Sequence, residues 1–350
     1  MALFLKKSKR MKRAVLNLMR ITGAFAPFRL VNRNRALILT YHRFRRVDER
    51  DAISSEAFEA QLEYLAARYH FVPLSLISDH LARGLDPPAR SVAITIDDGY
   101  HDAYNIAFPL LRRYRIPATI FVVTDFIDRK AWLWTDKLRF ATLQAAGGSY
   151  DVKVQNWTLW FRLRDRRSRL DAAARVNTIL KSLPGHLVPG IIDQIAARLG
   201  VQLPELPTEE WSPVSWDNIR EMEAAGVESA SQTVTNPILT NISNEELERE
   251  LHHSRMRLES VLARPVDLFC YPNGNYDARV KRAVARAGYR CAVTCDPGLV
   301  DNRSEALALL RVHADRDLAR FIQGTSGFEQ WKRRIWGPGL EPADRIAARG

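Results

Sequence analysis

The chain reads as an α/β protein in which parallel β/α units close, or nearly close, into a barrel. Three observations predict this. Short apolar runs rich in β-branched residues alternate with helices of amphipathic spacing across short connections, the pattern of strands that need a crossover to lie parallel. About seven such runs occur along the 350 residues, and 46% of the chain is apolar, ample for a full core. Polar residues follow the runs, and in parallel α/β folds sites form at the carboxyl ends of strands.

After a basic leader over residues 1–35, the first run is 36–41 (Ala-Leu-Ile-Leu-Thr-Tyr), which ends in His42 and Arg43. Residues 54–69 predict a helix with Phe58, Leu62 and Leu65 on one face and Ser54 or Ser55 as N-cap. A second helix, 74–83, is closed by Gly84. The central strand is 91–96 (Ser-Val-Ala-Ile-Thr-Ile), followed by Asp97, Asp98 and Gly99, a helix over 100–114, and a strand over 118–123 opened by Ile116-Pro117. From about 128 to 213 the rhythm breaks. Trp132, Trp134, Trp157, Trp160, Trp211 and, just beyond, Trp216 gather here with a basic helical run over 162–181, which predicts a mostly helical insertion covering the barrel mouth. Its tryptophans have two readings, ring faces for sugars or, more commonly, the small core of an added layer. The pattern resumes with a helix over 215–225, a strand over 226–229 and a helix over 243–262 that opens on Glu245 and Glu246. A strand over 266–271, the turn Pro272-Asn273-Gly274, a helix over 277–287 stopped by Gly288, and strands over 289–294 and 308–312 complete a body spanning 36–320, with 321–350 as a tail.

Two adjacent carboxylates at the end of a buried strand need a reason. On a continuing strand Asp97 and Asp98 would face opposite ways, and Gly99 lets the chain turn and bring both to one rim. Close carboxylates raise the proton affinity of one of them unless a cation lies between, which favours a base beside a metal ligand. The other reading, equally open here, is a simple helix N-cap.

Charge is unevenly placed. The first fifty residues carry fourteen Lys and Arg against Asp48 and Glu49 alone, which accounts for the whole net charge of +12 and leaves the body neutral. A neutral body argues against a nucleic-acid-binding fold. Residues 6–13 are basic, and Val15, Leu16, Leu18, Met19 and Ile21 follow at helical spacing, so the leader reads either as a peripheral membrane contact or as a solvated tail. Arg20 interrupts the apolar run, which is too short to span a bilayer and poor as a signal peptide, so the expected location is the cytoplasm, with any membrane contact at the inner face. Cys270, Cys291 and Cys295 suggest reduced, mostly buried thiols, not a disulfide framework or zinc knuckle.

Four landmarks stand in order at strand ends: Leu39-Thr-Tyr-His42, Thr95-Ile-Asp-Asp-Gly99, Ser231-Gln-Thr-Val-Thr-Asn236 and Phe269-Cys-Tyr-Pro-Asn-Gly274. Any one is weak, but the ordered set strongly resembles the polysaccharide deacetylase family, the NodB-homology domain, from about Ala36 to His313. The resemblance implies a distorted (β/α)7 barrel with a helical insertion, and a divalent metal, usually zinc, that activates water to hydrolyse N-acetyl or O-acetyl groups on a carbohydrate. By the same resemblance Asp97 would be the general base and Asp98 a metal ligand. The Tyr271-Pro272-Asn273-Gly274 turn matches the segment whose backbone N–H, at Tyr271, helps hold the oxyanion. The implied partner is an acetylated glycan or glycolipid.

The third landmark departs from the family pattern. Members usually place two histidines where this chain has Gln232 and Asn236, with the spacing kept. Imidazole is a strong ligand for zinc, whereas an amide oxygen is weak and better matched to calcium or magnesium, so the resemblance implies a weakened metal site. His42 and His313 are accessory ligand candidates, with hydrogen-bonded rim histidines as their blander reading. His101, His252, His253 and Cys270 read as helix-start, surface and packing residues. Two functions follow: a metal-dependent carbohydrate deacetylase, or a catalytically impaired pseudo-deacetylase that binds glycan or a partner.

Overall fold

Why the chain closes into a ring follows from its strands, which the computed structural model describes together with the rest of residues 14–45 and 52–336. They are β1 (Leu37–Tyr41), β2 (Ser91–Ile96), β3 (Ala118–Val122), β4 (Val227–Ser231), β5 (Leu268–Cys270), β6 (Cys291–Pro297) and β7 (Leu309–His313). Each runs parallel to its neighbours in chain order, and β7 returns to β1 through Leu39–Val312 and Thr40–His313. The ring therefore closes with seven strands, and a two-residue strand, His70–Phe71, extends the lower end of β2. All seven runs expected from the sequence are present, with ends shifted by up to a few residues.

Because side chains alternate along a strand, each run feeds two cores. Ile38, Ala93, Phe121, Ala230, Leu268, Val293 and Leu309 fill the barrel interior. Their sequence neighbours, among them Leu39, Ile94, Ile120, Phe269 and Val312, pack outward under the helices. Burial on both faces is why these strands read as continuous apolar runs, and each fully buried Ile or Leu contributes roughly 1.5–3 kcal/mol. The surrounding helices start where expected: Ser54 caps Ser55–Ala66, and Ser243 with Glu246 forms a capping box on Asn244–Leu262.

Two expectations are refined. The insertion is mostly helical, as expected, but beside helices Trp134–Gln144, Arg166–Leu180 and Val188–Arg198 it also carries an antiparallel hairpin, Gly148–Val154 with Trp157–Leu163. It builds its own core from residues such as Leu138, Val152, Val176, Ile192 and Ile195. Trp157 and Trp160 stand outside that core, 61% and 67% exposed, whereas Trp132 and Trp211 are buried. The packed body also extends past both expected boundaries. Phe25, from the presumed leader, and Phe321 and Ile322, from the presumed tail, are buried. Phe28 of helix Ala26–Val31 meets Phe328 and Trp331 of helix Phe328–Trp336 at 5.1 Å in edge-to-face contacts. Residues 1–13, which carry most of the expected basic leader, lie outside the described residues.

Candidate active site

Strand parity assembles the site. The inward-facing set continues past the upper strand ends as His42 on β1, Asp97 on β2, Gln232 on β4, Cys270 on β5, and Arg311 and His313 on β7. Asp98 has the wrong parity. It reaches the mouth because its own backbone turns left-handed at φ 75°, followed by Gly99 at 81°, so the turn begins on the aspartate and not on the glycine alone. Asp97, Asp98, Gln232, Asn236, His42, His313, Tyr271 and Pro272 all border one cleft of about 550 Å³ at the carboxyl ends of the strands. Gly274 lies behind it, φ 76°, where a Cβ would come within 2.5 Å of the Cys295 Cβ; only glycine lets the turn approach β6 this closely.

Asp97 is 2% exposed and held by Arg311, the largest fully buried side chain among the described residues. The guanidinium binds it bidentately, Nη1 to Oδ1 at 2.7 Å and Nη2 to Oδ2 at 2.8 Å. Its other N–H groups go to Thr294 O (2.7 Å), Thr95 Oγ1 (3.0 Å) and Cys270 Sγ (3.4 Å), so all five donors are satisfied. Burial alone would raise the Asp97 carboxyl, but Arg311 and then His42 hold it below the ordinary aspartate value, so it stays ionised. His42 Nε2 stands 3.6 Å from Asp97 Oδ2, and its ring is 5.9 Å from that of His313. The Cys270 thiol donates toward Asp97 and is pushed up by burial, so it is a thiol and not a nucleophile in waiting.

Asp98 is the opposite case. Burial, then the charge of Asp97, pushes its carboxyl up to about 7. Its partner is Gln232, and the bond has two points: Gln232 Nε2 donates to Asp98 Oδ1 at 2.7 Å while Gln232 Oε1 accepts from the Asp98 backbone N–H at 3.1 Å. This fixes which way the amide faces, since turning it over would set an NH2 against an N–H. Gln232 Nε2 also reaches Asn236 Oδ1 at 3.3 Å.

The donor set does not fit the zinc that the family pattern implies. Where imidazole lone pairs would converge, an amide N–H already points at the one carboxylate suited to hold an ion. Among the described residues no group of three or more His, Cys, Asp or Glu side chains is placed to bind a metal. His42 and His313 stay at the rim, and His42 approaches Asp97, not Asp98. The Tyr271 N–H, expected to serve an oxyanion, is donated to Val293 O at 3.2 Å, and the Tyr271 hydroxyl to Leu307 O at 2.8 Å outside the barrel.

Sequence reasoning passed over Arg311; the available signal was a lone arginine between apolar residues of a strand that must be buried. It also passed over Arg43, sandwiched between Tyr100 and Trp211 and paired with Asp102 at 2.6 Å. Asp136, pushed up to about 6 by burial and bonded by the Tyr100 hydroxyl at 2.6 Å, is another. The insertion supplies one wall of the cleft through Trp134, Arg139 and Lys181.

Seven parallel strands closed in chain order, with an acid pair at the mouth, define a (β/α)7 barrel of the NodB type. The profile described as "Polysaccharide deacetylase" matches residues 84–292, more than half of the chain, and the chain belongs to that family. Among relatives, YxkH of Bacillus subtilis is 21% identical over 261 residues, covering 74% of this chain and 64% of that protein. A poly-beta-1,6-N-acetyl-D-glucosamine N-deacetylase of Staphylococcus epidermidis is 32% identical over 111 residues, 27% of this chain and 38% of that one. This chain thus spans less than two thirds of the length of these relatives. Among solved structures, the deacetylase PplD of Streptococcus pyogenes in complex with acetate has a TM-score of 0.57 at 18% identity, covering 83% of this chain and 98% of that one. IcaB from Ammonifex degensii has a TM-score of 0.56 at 20% identity, covering 84% and 97%. At these identities the structural likeness establishes the shared fold. The family is generally metal-dependent, and the amide-filled site of this chain departs from that.

Proposed function

We propose that the cleft at the barrel mouth takes up an acetylated glycan, or a glycolipid carrying one, and retains it: a catalytically impaired pseudo-deacetylase. The observation that carries this reading is the two-point bond between Gln232 and Asp98, which gives the ion site's carboxylate an internal partner. In this reading Asp97, kept ionised and immobile by Arg311, accepts a hydrogen bond from a sugar hydroxyl or acetamido N–H, and Trp134 borders the sugar at the rim. The family match supports the substrate class, and the two features that the family resemblance assigns to hydrolysis, an imidazole pair and a free N–H at the turn, are what the chain has exchanged or engaged.

A second reading, slow hydrolysis of the acetyl group with Asp97 as base, is favoured by the retained acid pair and by His42 at 3.6 Å from Asp97. Calorimetry with zinc and with N-acetylglucosamine oligosaccharides, alongside an acetate-release assay, separates the two. Retention predicts oligosaccharide binding, no tight zinc binding and no acetate from the unaltered chain, with zinc binding gained by the double variant Gln232→His, Asn236→His. Tight zinc binding by the unaltered chain, or acetate release from it, refutes retention.

A further inference from the structure

At the opposite end of the barrel from the mouth, a second cavity of about 520 Å³ opens where the chain enters its strands. Five arginines line it, Arg29, Arg33, Arg35, Arg68 and Arg90, and no Asp or Glu does. Three of the five are engaged within the protein: Arg35 meets Asp301 at 3.3 Å, Arg29 donates to the Tyr64 hydroxyl at 3.1 Å, and Arg68 lies over the Tyr64 ring at 4.4 Å. Arg33 and Arg90 are joined through their backbones, Arg90 N–H to Arg33 O at 2.6 Å, and their guanidiniums have no carboxylate partner among the described residues. Both side chains are exposed at the edge of the cavity, where clustered charge of one sign raises the local concentration of anions.

Exposed apolar side chains gather beside the cavity. Of the twelve large apolar side chains that stand exposed among the described residues, seven lie on three short helices here: Val15, Leu18 and Ile21 on residues 14–21, Leu30 and Val31 on Ala26–Val31, and Trp331 and Ile335 on Phe328–Trp336. Leu16 and Met19 pack against the core, while Val15, Leu18 and Ile21, spaced by three, form a stripe beside them turned away from it. Leu30 both lines the arginine cavity and stands 55% exposed, so the cationic cavity and the apolar ridge are continuous. The carboxylates near this face, Asp301 and Glu329, are already met by Arg35 and Lys332.

We propose that this face docks on an anionic lipid bilayer, with Arg33 and Arg90 meeting headgroup phosphates and Leu18, Ile21, Leu30 and Val31 entering the boundary between headgroups and acyl chains. No helix among the described residues is long and apolar enough to cross a membrane, so the contact is peripheral. Charge complementarity selects this occupant: a second copy of the same face would set its arginines against one another. The docking faces the cleft away from the lipid. The proposal is independent of whether the cleft hydrolyses its glycan.

The test is co-sedimentation of the full chain with vesicles of phosphatidylcholine alone and of equimolar phosphatidylglycerol and phosphatidylcholine, at roughly 0.1 M salt. The chain should partition onto the anionic vesicles only. Arg33→Gln with Arg90→Gln should lose roughly fivefold per arginine, about 25-fold together, and Leu18→Ser with Val31→Ser should also fall, both pairs keeping the thermal melt of the unaltered protein. Undiminished binding by the arginine pair would hand the contact to the basic stretch before residue 14 and overturn the proposal. So would equal binding to neutral vesicles, no binding at all, or self-association in place of vesicle binding.

Discussion

Replacing Arg311 by methionine tests whether the acid pair depends on a buried cation. The substitution keeps the stem's volume but removes all five N–H donors, leaving Asp97, 2% exposed, with a charge that no other guanidinium answers and with only His42 and a thiol nearby. Breaking a buried pair on one side costs about 3–5 kcal/mol, because the remaining charge keeps its desolvation penalty. At about 2–4 °C per kcal/mol, the melting temperature should fall by roughly 6–20 °C. The sign of the pH dependence is fixed. In the unaltered protein Asp97 sits below its ordinary value, so its contribution is full above the unfolded aspartate value and is lost as pH falls through the folded one. In the variant, burial is no longer opposed and the carboxyl moves up, so the penalty is full near neutrality and fades as acid protonates the group. Circular-dichroism melts at about pH 5 and about pH 8 should therefore show the gap widening toward alkaline pH, and Asp97→Asn added to Arg311→Met should restore about half of the loss. A gap below about 1 kcal/mol, or one that ignores pH and the second substitution, would refute the assignment of the pair as the site's organising charge.

Asp98, pushed up to about 7, burdens the fold increasingly as pH rises from about 4 to 7, since the folded chain holds a proton that the unfolded chain has given up. Asp98→Asn should match the unaltered protein in urea unfolding at about pH 4 and exceed it at about pH 8 by roughly 2 kcal/mol, after discounting for the partial exposure of the carboxyl. Gly274→Ala must fit a methyl into 2.5 Å beside the Cys295 Cβ at a left-handed φ, and should destabilise by roughly 3 kcal/mol, whereas Gly84→Ala, with open space around it, should lose only about 1 kcal/mol, both read from the same melts.

The barrel was legible because parallel strands buried on both sides leave unbroken apolar runs, and because each run ends in a polar residue that a core would reject. Ile96 to Asp97 and Thr40 to His42 show this without any partner being known. The hairpin of the insertion was not legible. In 148–163 the buried Val152 and Val154 alternate with Lys153, but the exposed Trp157 and Trp160 break that period and join visually with the basic helix that follows. The roles around the acids were hidden for another reason. Arg311 and Asp97 lie 214 positions apart, and only ring closure makes them neighbours. That Gln232 offers its amide N–H and not its oxygen to Asp98 is a matter of three dimensions. So is the donation of the Tyr271 N–H to Val293, which no motif records.

The order in which the ring is wound gives Asp97 a long wait. Its strand is the second to be synthesised, and the guanidinium that neutralises it arrives on the seventh, through a seam with β1 that rests on two paired positions. The closing strand is therefore also the neutralising one: the β7 that completes the ring is the element that carries the counter-charge of Asp97, so shape and charge balance are completed by the same segment.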